Sequence, residues 1–336
     1  LKVRKAHGIA AALALACFAA LLLWLTRVPA DVRPAERAVI AMSSFVLSSP
    51  VFVADVEGCF RRQGLAVEIA PVQTGREALE AMFSGRADFA VSGSLPLAHV
   101  ILDGRTPHII ATITKTDRDL VVVARGSRGI GNASDLRGKK VAIARGTSFD
   151  YFLDTVLVDA GVKPSTVTKV DTLPKAALQA LEDGAVDAAV LASPLTEQAL
   201  ETLGPSAVQL APPVYTTHWN IAASERTLAL RPAVVEKMLR ALLDAESFIH
   251  DRPDQATTDT ASAMHVPRQE VASRWDNFLF RVQLPQSLIV AMEDETRWMI
   301  STRDAKSPAT PLPNFLDYLD VEPLRKVRPE AIRITR

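Results

Sequence analysis

The sequence predicts an α/β fold built as two equivalent lobes, and three observations carry that expectation. Short apolar runs alternate with amphipathic helical patterns from residue 39 onward, the mark of a mainly parallel sheet covered by helices. The same strand–helix series restarts near residue 140. Residues 78–94 also match 177–193 at eight of 17 positions with a constant offset of 99: Ala78, Leu79, Ala81, Gly85, Asp88, Ala90, Val91 and Ser94. A helix-stopping Gly and a turn Asp are common grammar, so Gly85 and Asp88 on their own read as turn chemistry. The preceding strand and helix also align, with Ser49 opposite Ser148, and that favours a duplicated architecture.

The elements follow in order. Residues 39–42 form a short apolar strand, and Ser43 and Ser44 close it. Ser48, Ser49 and Pro50 then give hydroxyls and a proline where a helix starts, and the helix 51–63 stops at Gly64. "LAVEIAPV" alternates as a strand, and "GREALEAMF" puts Ala78, Leu79, Met82 and Phe83 on one helical face before Gly85. "DFAVSG" is the next buried strand, ending in Ser92, Gly93 and Ser94. In the second series a strand at 140–144 runs into Arg145, Gly146, Thr147 and Ser148. A helix 149–160, a strand 167–172, a helix 175–181 and a strand 186–193 complete it. Residues 108–125 are strand-like and serve as the crossing from lobe one to lobe two, with 214–224 as the return. A long amphipathic helix opens at Pro232, helical patterns follow at 268–282 and 285–301, and a Pro-rich break at 307–313 precedes a short closing segment.

Composition bounds the function classes. With 48% hydrophobic and 23% charged residues the chain is a folded globular protein, and 336 residues suffice for two domains. The net charge is zero but unevenly placed: Lys2, Arg4, Lys5 and Arg27 are basic, and no acid precedes Asp31. The remainder carries 34 basic against 38 acidic residues, which gives no footprint for nucleic acid. The basic start, the apolar run 9–25 and the small residues Val28 and Ala30 read as an export signal. Its 17 apolar residues also reach the lower limit of a spanning helix, so residues 1–30 are either cleaved or kept as an anchor. A lipid-modification reading at Cys17 is weaker, because Ala14 stands three residues before it and the apolar run continues past it. Cys59 is then the one remaining cysteine; it reads as a small buried hydrophobe, and no intramolecular disulfide is possible.

In such folds ligands bind at the carboxyl ends of strands, where helix N-termini present N–H groups and a positive dipole end. Four such ends here carry hydroxyls: Ser43 and Ser44 with Ser48 and Ser49; Ser92 and Ser94; Thr147 and Ser148; and Ser193. Any one of these serines reads first as a helix cap, but as a set at equivalent places they suit an oxyanion held by neutral donors. Arg76 and Arg145 are candidate charge partners, with surface or inter-lobe ion pairs as the alternative. His218, Trp219 and Asn220 lie where the return crossing passes the cleft, and Trp219 can either pack on a ligand or belong to the core. Asp117, Arg118 and Asp119 on the first crossing can hold the lobes together. Enzyme signatures are missing: there is no Gly-x-Ser-x-Gly elbow, no phosphate-binding Gly-Lys-Ser/Thr loop, no His-Glu-x-x-His and no metal-ligand pair among the six His.

The stretches "SPVFVADVEGCFRRQGLAVEI", "TGREALEAMFSGRADFAVSG", "DLRGKKVAIARGTSFDYFLDTVLVDAGV" and "ALEDGAVDAAVLASP" resemble the nitrate/sulfonate/taurine-type solute-binding proteins of ABC importers. This is the NMT1/THI5-like family, which includes pyrimidine-precursor-binding relatives, and the resemblance covers about 39–330. It implies a periplasmic-binding-protein type II fold, with two α/β lobes joined by a hinge of two crossing segments. It also implies ligand contacts at Ser43, Ser44, Ser92, Gly93, Gly146, Thr147 and Ser148. The family's enzymatic branch carries a Cys-rich stretch that this chain lacks, which speaks against an enzymatic role. Regulators with a related fold carry a DNA-binding helix pair where this chain has an apolar segment. The resulting expectation is lobe I at 38–121 plus 219–336 and lobe II at 122–218. A monomeric periplasmic protein would bind a small anionic organic solute for an ABC permease and its ATPase, with no cofactor, metal or nucleic acid. The alternative is a membrane-anchored ligand sensor using the same module.

Overall fold

In the first half of the chain, apolar strands and one-sided helices alternate as their sequence periods require. The computed structural model describes residues 35–210, 215–302 and 311–335. The export or anchor segment and most of the Pro-rich break lie outside the described residues. Strand β1 (Glu36–Ser43) leads through a 3₁₀ turn into α1 (Ser49–Val56), which starts with Pro50 in its first turn. The single helix expected over 51–63 is broken: Gly58 takes φ 70°, and α2 (Cys59–Arg62) begins afresh after it. A left-handed residue cannot continue a right-handed helix, and only glycine adopts that conformation without strain. Then come β2 (Leu65–Val72), α3 (Gly75–Phe83), β3 (Phe89–Gly93), α4 (Ser94–Leu102) and β4 (His108–Thr116).

The chain next enters a second sheet with β5 (Val121–Arg125), β6 (Lys140–Ile143), α5 (Ser148–Asp159), β7 (Thr168–Asp171) and α6 (Pro174–Glu182). Strand β8 (Ala188–Leu191), α7 (Leu195–Leu203) and β9 (Ala207–Leu210) complete that body. The chain returns through β10 (Thr217–Ala223), so Thr217 and His218 already stand in the first sheet rather than with the second lobe. Helices α8 (Glu225–Leu230), α9 (Pro232–Asp251), α10 (Pro253–Met264) and α11 (Arg268–Ala272) follow. Where helix was expected up to 282, β11 (Leu279–Pro285) pairs antiparallel with β4. Residues Val282 to Pro285 are all buried there, between β4 and the closing strand Ile332–Arg333, so burial does not alternate and the strand is set by its pairing. The last elements are α12 (Gln286–Thr302), α13 (Val321–Val327) and β12 (Ile332–Arg333).

The two sheets share one topology. Their orders are β12-β11-β4-β10-β3-β1-β2 and β7-β6-β8-β5-β9. Reading β2-β1-β3-β10-β4 against β7-β6-β8-β5-β9 superposes the strand roles, and in each sheet the fourth strand is antiparallel and comes from the other crossing. The duplication is visible in the register, with an offset of 99 along β3 and β8 and of 101 along their partners β1 and β6. Phe89 and Ala90 pair with Ile40 and Ala41, while Ala188 and Ala189 pair with Val141 and Ala142. Asp88 and Asp187 correct the turn-chemistry reading. The Val39 N–H donates to Asp88 Oδ2 and the Lys140 N–H to Asp187 Oδ2, each at 2.9 Å. Each aspartate therefore ties a backbone amide of the neighbouring strand to the helix–strand turn, in both lobes alike. The apolar core is buried on both faces of both sheets, as parallel strands require.

Candidate functional site

The carboxyl ends of β1, β2, β3 and β6 deliver their following turns to one cleft, and the two crossings close its sides. Phe45 and Leu47 come from the turn after β1, Gln73, Thr74 and Gly75 from the start of α3, and Gly93 and Pro96 from the start of α4. From the second sheet come Thr147, Ser148 and Phe149 at the start of α5, and Ala192 after β8. The crossings add Asp119 and Leu120 on one side, Thr217 and Trp219 on the other. The cleft holds about 450 Å³ counted to its mouth.

Most of the wall is apolar. Phe45 meets Phe149 of the second lobe at 6.2 Å between ring centroids, and meets the edge of Trp219 at 6.2 Å and 83°. Trp219 is fixed by its own polar end: Nε1 donates to Ser48 Oγ at 3.0 Å, and Ser48 Oγ donates to the Ser43 carbonyl at 2.9 Å. Gly75 is a packing requirement, since a β-carbon there would lie 2.5 Å from Ser92 Oγ and 2.9 Å from Ser92 Cα.

Of the fifteen residues expected at a ligand site, the structure brings Gly93, Thr147, Ser148 and Trp219 to the cleft wall. The others stand elsewhere, for readable reasons. Ser44 is exposed, and Ser49 Oγ is taken by the Val46 carbonyl as a helix-start bond. Ser43, Ser48, Ser92 and Ser193 are buried behind the wall, and Gly146 turns the chain with φ 67°. Ser94 Oγ donates to Glu295 Oε1 at 2.7 Å. Arg76 and Arg145 are exposed and line, with Glu77 and Asp171, an adjoining surface hollow that shares Thr74 and Thr147 with the cleft. His218 and Asn220 flank Trp219 on a strand and so point to the opposite face. His218 Nε2 meets Ser287 Oγ at 2.9 Å; burial, and then Lys115, push its pKa down to about 4. Asn220 accepts from Thr112 Oγ1 at 2.7 Å and donates to the His218 carbonyl at 2.9 Å. Even Thr147 is partly spent, because its Oγ1 donates to the Ala144 carbonyl at 2.7 Å while capping α5.

Sequence reasoning missed two carboxyl groups buried at and behind the cleft wall, Asp119 and Glu295. Asp119 is 2% exposed; its Oδ1 accepts the Ser193 N–H at 3.1 Å, and its Oδ2 is buried without a hydrogen-bond partner. Burial pushes its pKa up to about 7; the Ser193 N–H pulls it back, Glu197 adds to the rise and Arg274 opposes it. Behind the wall, Glu295 is fully buried, and its Oε1 accepts from Ser94 Oγ and from the Tyr215 hydroxyl, each at 2.7 Å. Burial pushes Glu295 up to about 8 against the pull of those two hydrogen bonds. The Tyr215 oxygen also lies 3.1 Å from Ser148 Oγ, so one network joins α4, α12, the return crossing and α5. The only sequence signal for Asp119 was its place on the first crossing, and Glu295 gave none.

Among the described residues no group of three or more His, Cys, Asp or Glu could hold a metal ion. Cys59 is buried, and burial raises its thiol pKa, so it offers no ready nucleophile. The arrangement can enclose a small molecule between two lobes, with aromatic walls, helix N-termini and one carboxyl group.

A family model described as NMT1/THI5 like matches residues 47–256. A putative binding protein of Brucella abortus (strain 2308) is 27% identical over 230 residues, which is 67% of this chain and 70% of the relative. A putative aliphatic sulfonates-binding protein of Escherichia coli (strain K12) is 24% identical over 204 residues, 60% of this chain and 64% of the relative. The solved structure of the alkanesulfonate-binding protein SsuA from Xanthomonas axonopodis pv. citri, bound to MOPS, is similar with a TM-score of 0.71 at 20% identity. It covers 86% of this chain and 99% of that one, and the likeness shows the periplasmic-binding-protein fold.

Proposed function

Because this chain belongs to the NMT1/THI5-like family, we propose that it is the solute-binding component of an ABC importer, acting in the periplasm. It would hand a small anionic organic solute to a permease and its ATPase. The observation that carries this reading is the meeting of α3 and α5 N-termini, from different sheets, at one aromatic-walled cleft. Unsatisfied N–H groups at such helix starts hold an oxyanion without a cationic side chain. The relatives named for sulfonates support the solute class. Solute binding shifts the population toward the closed form because only that form touches the solute from both lobes. Transport, not turnover, is the role, and no cofactor is required.

The apolar run 9–25 favours a second reading, a membrane-tethered sensor using the same module. Thermal shift with alkanesulfonates, nitrate, carboxylates and pyrimidines tests the first. A solute at 100 times its Kd stabilises by about 2.7 kcal/mol, which raises the melting temperature by several degrees. No shift with any of these compounds would remove the proposed solute class. Replacing Thr147 and Ser148 with Ala should weaken binding of a shifting compound, and unchanged affinity removes those residues from the site.

A further inference from the structure

We infer that Asp119 is a solute-recognition residue and that the solute carries a protonated nitrogen which its carboxylate receives. The inference rests on the solute-binding reading and narrows its ligand class. Asp119 lines the cleft, yet one of its oxygens is buried with no hydrogen-bond partner. A buried carboxylate oxygen without a donor is costly, and structures retain such a group where a ligand completes it. No lysine or arginine of the described residues lines the cleft, so a cationic donor for that oxygen is left to the solute. Arg274, a cation that acts on Asp119, is engaged by Glu197 on α7. The walls point the same way. Phe45, Phe149 and Trp219 line the cleft, and aromatic rings attract cations. An oxyanion at the helix starts and a protonated nitrogen at Asp119 together describe an amino-substituted acid, neutral overall, as suits a cleft without basic side chains.

The polarity of pH dependence separates this from the opposite arrangement, in which a protonated Asp119 donates to an anion. The groups acting on Asp119 are the Ser193 N–H, Glu197 and Arg274. As pH rises through about 7 the carboxylate ionises, so an ammonium-bearing solute gains affinity and a simple anion loses it.

The experiment uses two matched pairs: taurine against ethanesulfonate, and 4-(aminomethyl)benzenesulfonate against 4-methylbenzenesulfonate. Binding is read by calorimetry and by Trp fluorescence from pH 5.5 to 8.5. A charge-assisted hydrogen bond predicts that the amino member of at least one pair binds about tenfold or more tightly than its partner at pH 8. That advantage should grow with pH and collapse toward one in Asp119→Asn. Asn keeps an acceptor for the Ser193 N–H, and far-UV circular dichroism checks that the variant folds. If it does not fold, the wild-type pH profile decides alone. Preference for the amino-free member, an advantage that survives in Asp119→Asn, or affinity that rises as pH falls overturns this proposal and leaves solute binding standing. No binding by any of the four compounds removes the sulfonate-type reading and this proposal with it.

Discussion

Glu295 shows how much one side chain sets the pH response. Its native pKa is raised from 4.5 to about 8, so between those values the folded protein holds a proton that the unfolded chain has released. Its contribution to stability is therefore full below about 4.5 and is lost as pH rises toward 8. Glu295→Gln keeps an acceptor for Ser94 and Tyr215 but cannot ionise. The melting temperature of the variant relative to wild type should rise between pH 5 and pH 9, and equal curves would show that Glu295 does not titrate there. Gly75 is a second residue-scale test. A methyl group 2.9 Å from the Ser92 backbone cannot be relieved by a rotamer change, so Gly75→Ala should destabilise by about 1–3 kcal/mol in urea titration.

At the scale of elements, the duplicated helix–turn–strand unit is held by one device used twice. Gly85 and Gly184 take φ 76° and 73°, and Asp88 and Asp187 then bind the Val39 amide within β1 and the Lys140 amide that opens β6. Asp88 also accepts from Thr227 Oγ1 at 3.2 Å and Arg231 at 3.1 Å, whereas Asp187 adds only a looser ion pair with Arg128 at 3.6 Å. Asp88→Ala should therefore destabilise more than Asp187→Ala, with each in the range of about 1–3 kcal/mol for leaving a hydrogen-bonding group unmet. Amide exchange at Val39 and Lys140 should quicken in the respective variants. Equal losses would mean that the α8–α9 contacts to Asp88 contribute nothing. The constant 99-residue offset was legible because both units need the same cap, turn and small strand residues. The strand β11 was not, because "FRVQLP" satisfies a helical count until β4 offers it an edge.

For the molecule as a whole, the lobes meet through Phe45 with Phe149 and through the network from Glu295 to Tyr215 to Ser148. Tyr215→Phe removes the hydroxyl that touches both sides while keeping the ring against Tyr151. The solute affinity of any compound found by thermal shift should fall about three- to tenfold, the worth of one lost hydrogen bond. An unchanged Kd would place the network outside closure. Much of the site was hidden at this scale. Hydroxyls at strand ends could be read as a set, but not which of them were consumed by local caps, as Thr147 Oγ1 is by Ala144. Asp119 acquires meaning only beside Ser193, 74 residues later in the chain.

The sequence by itself determined the α/β class, the duplication and the placing of strand ends, because helix and strand periods, caps and turn glycines are local. It also carried the family likeness. Only the tertiary structure decided which side chains face the cleft. Strand alternation sends Trp219 inward and its neighbours His218 and Asn220 away, and burial changes the chemistry of Asp119 and Glu295. Both effects depend on what packs against a residue, and distant segments of the chain supply those neighbours.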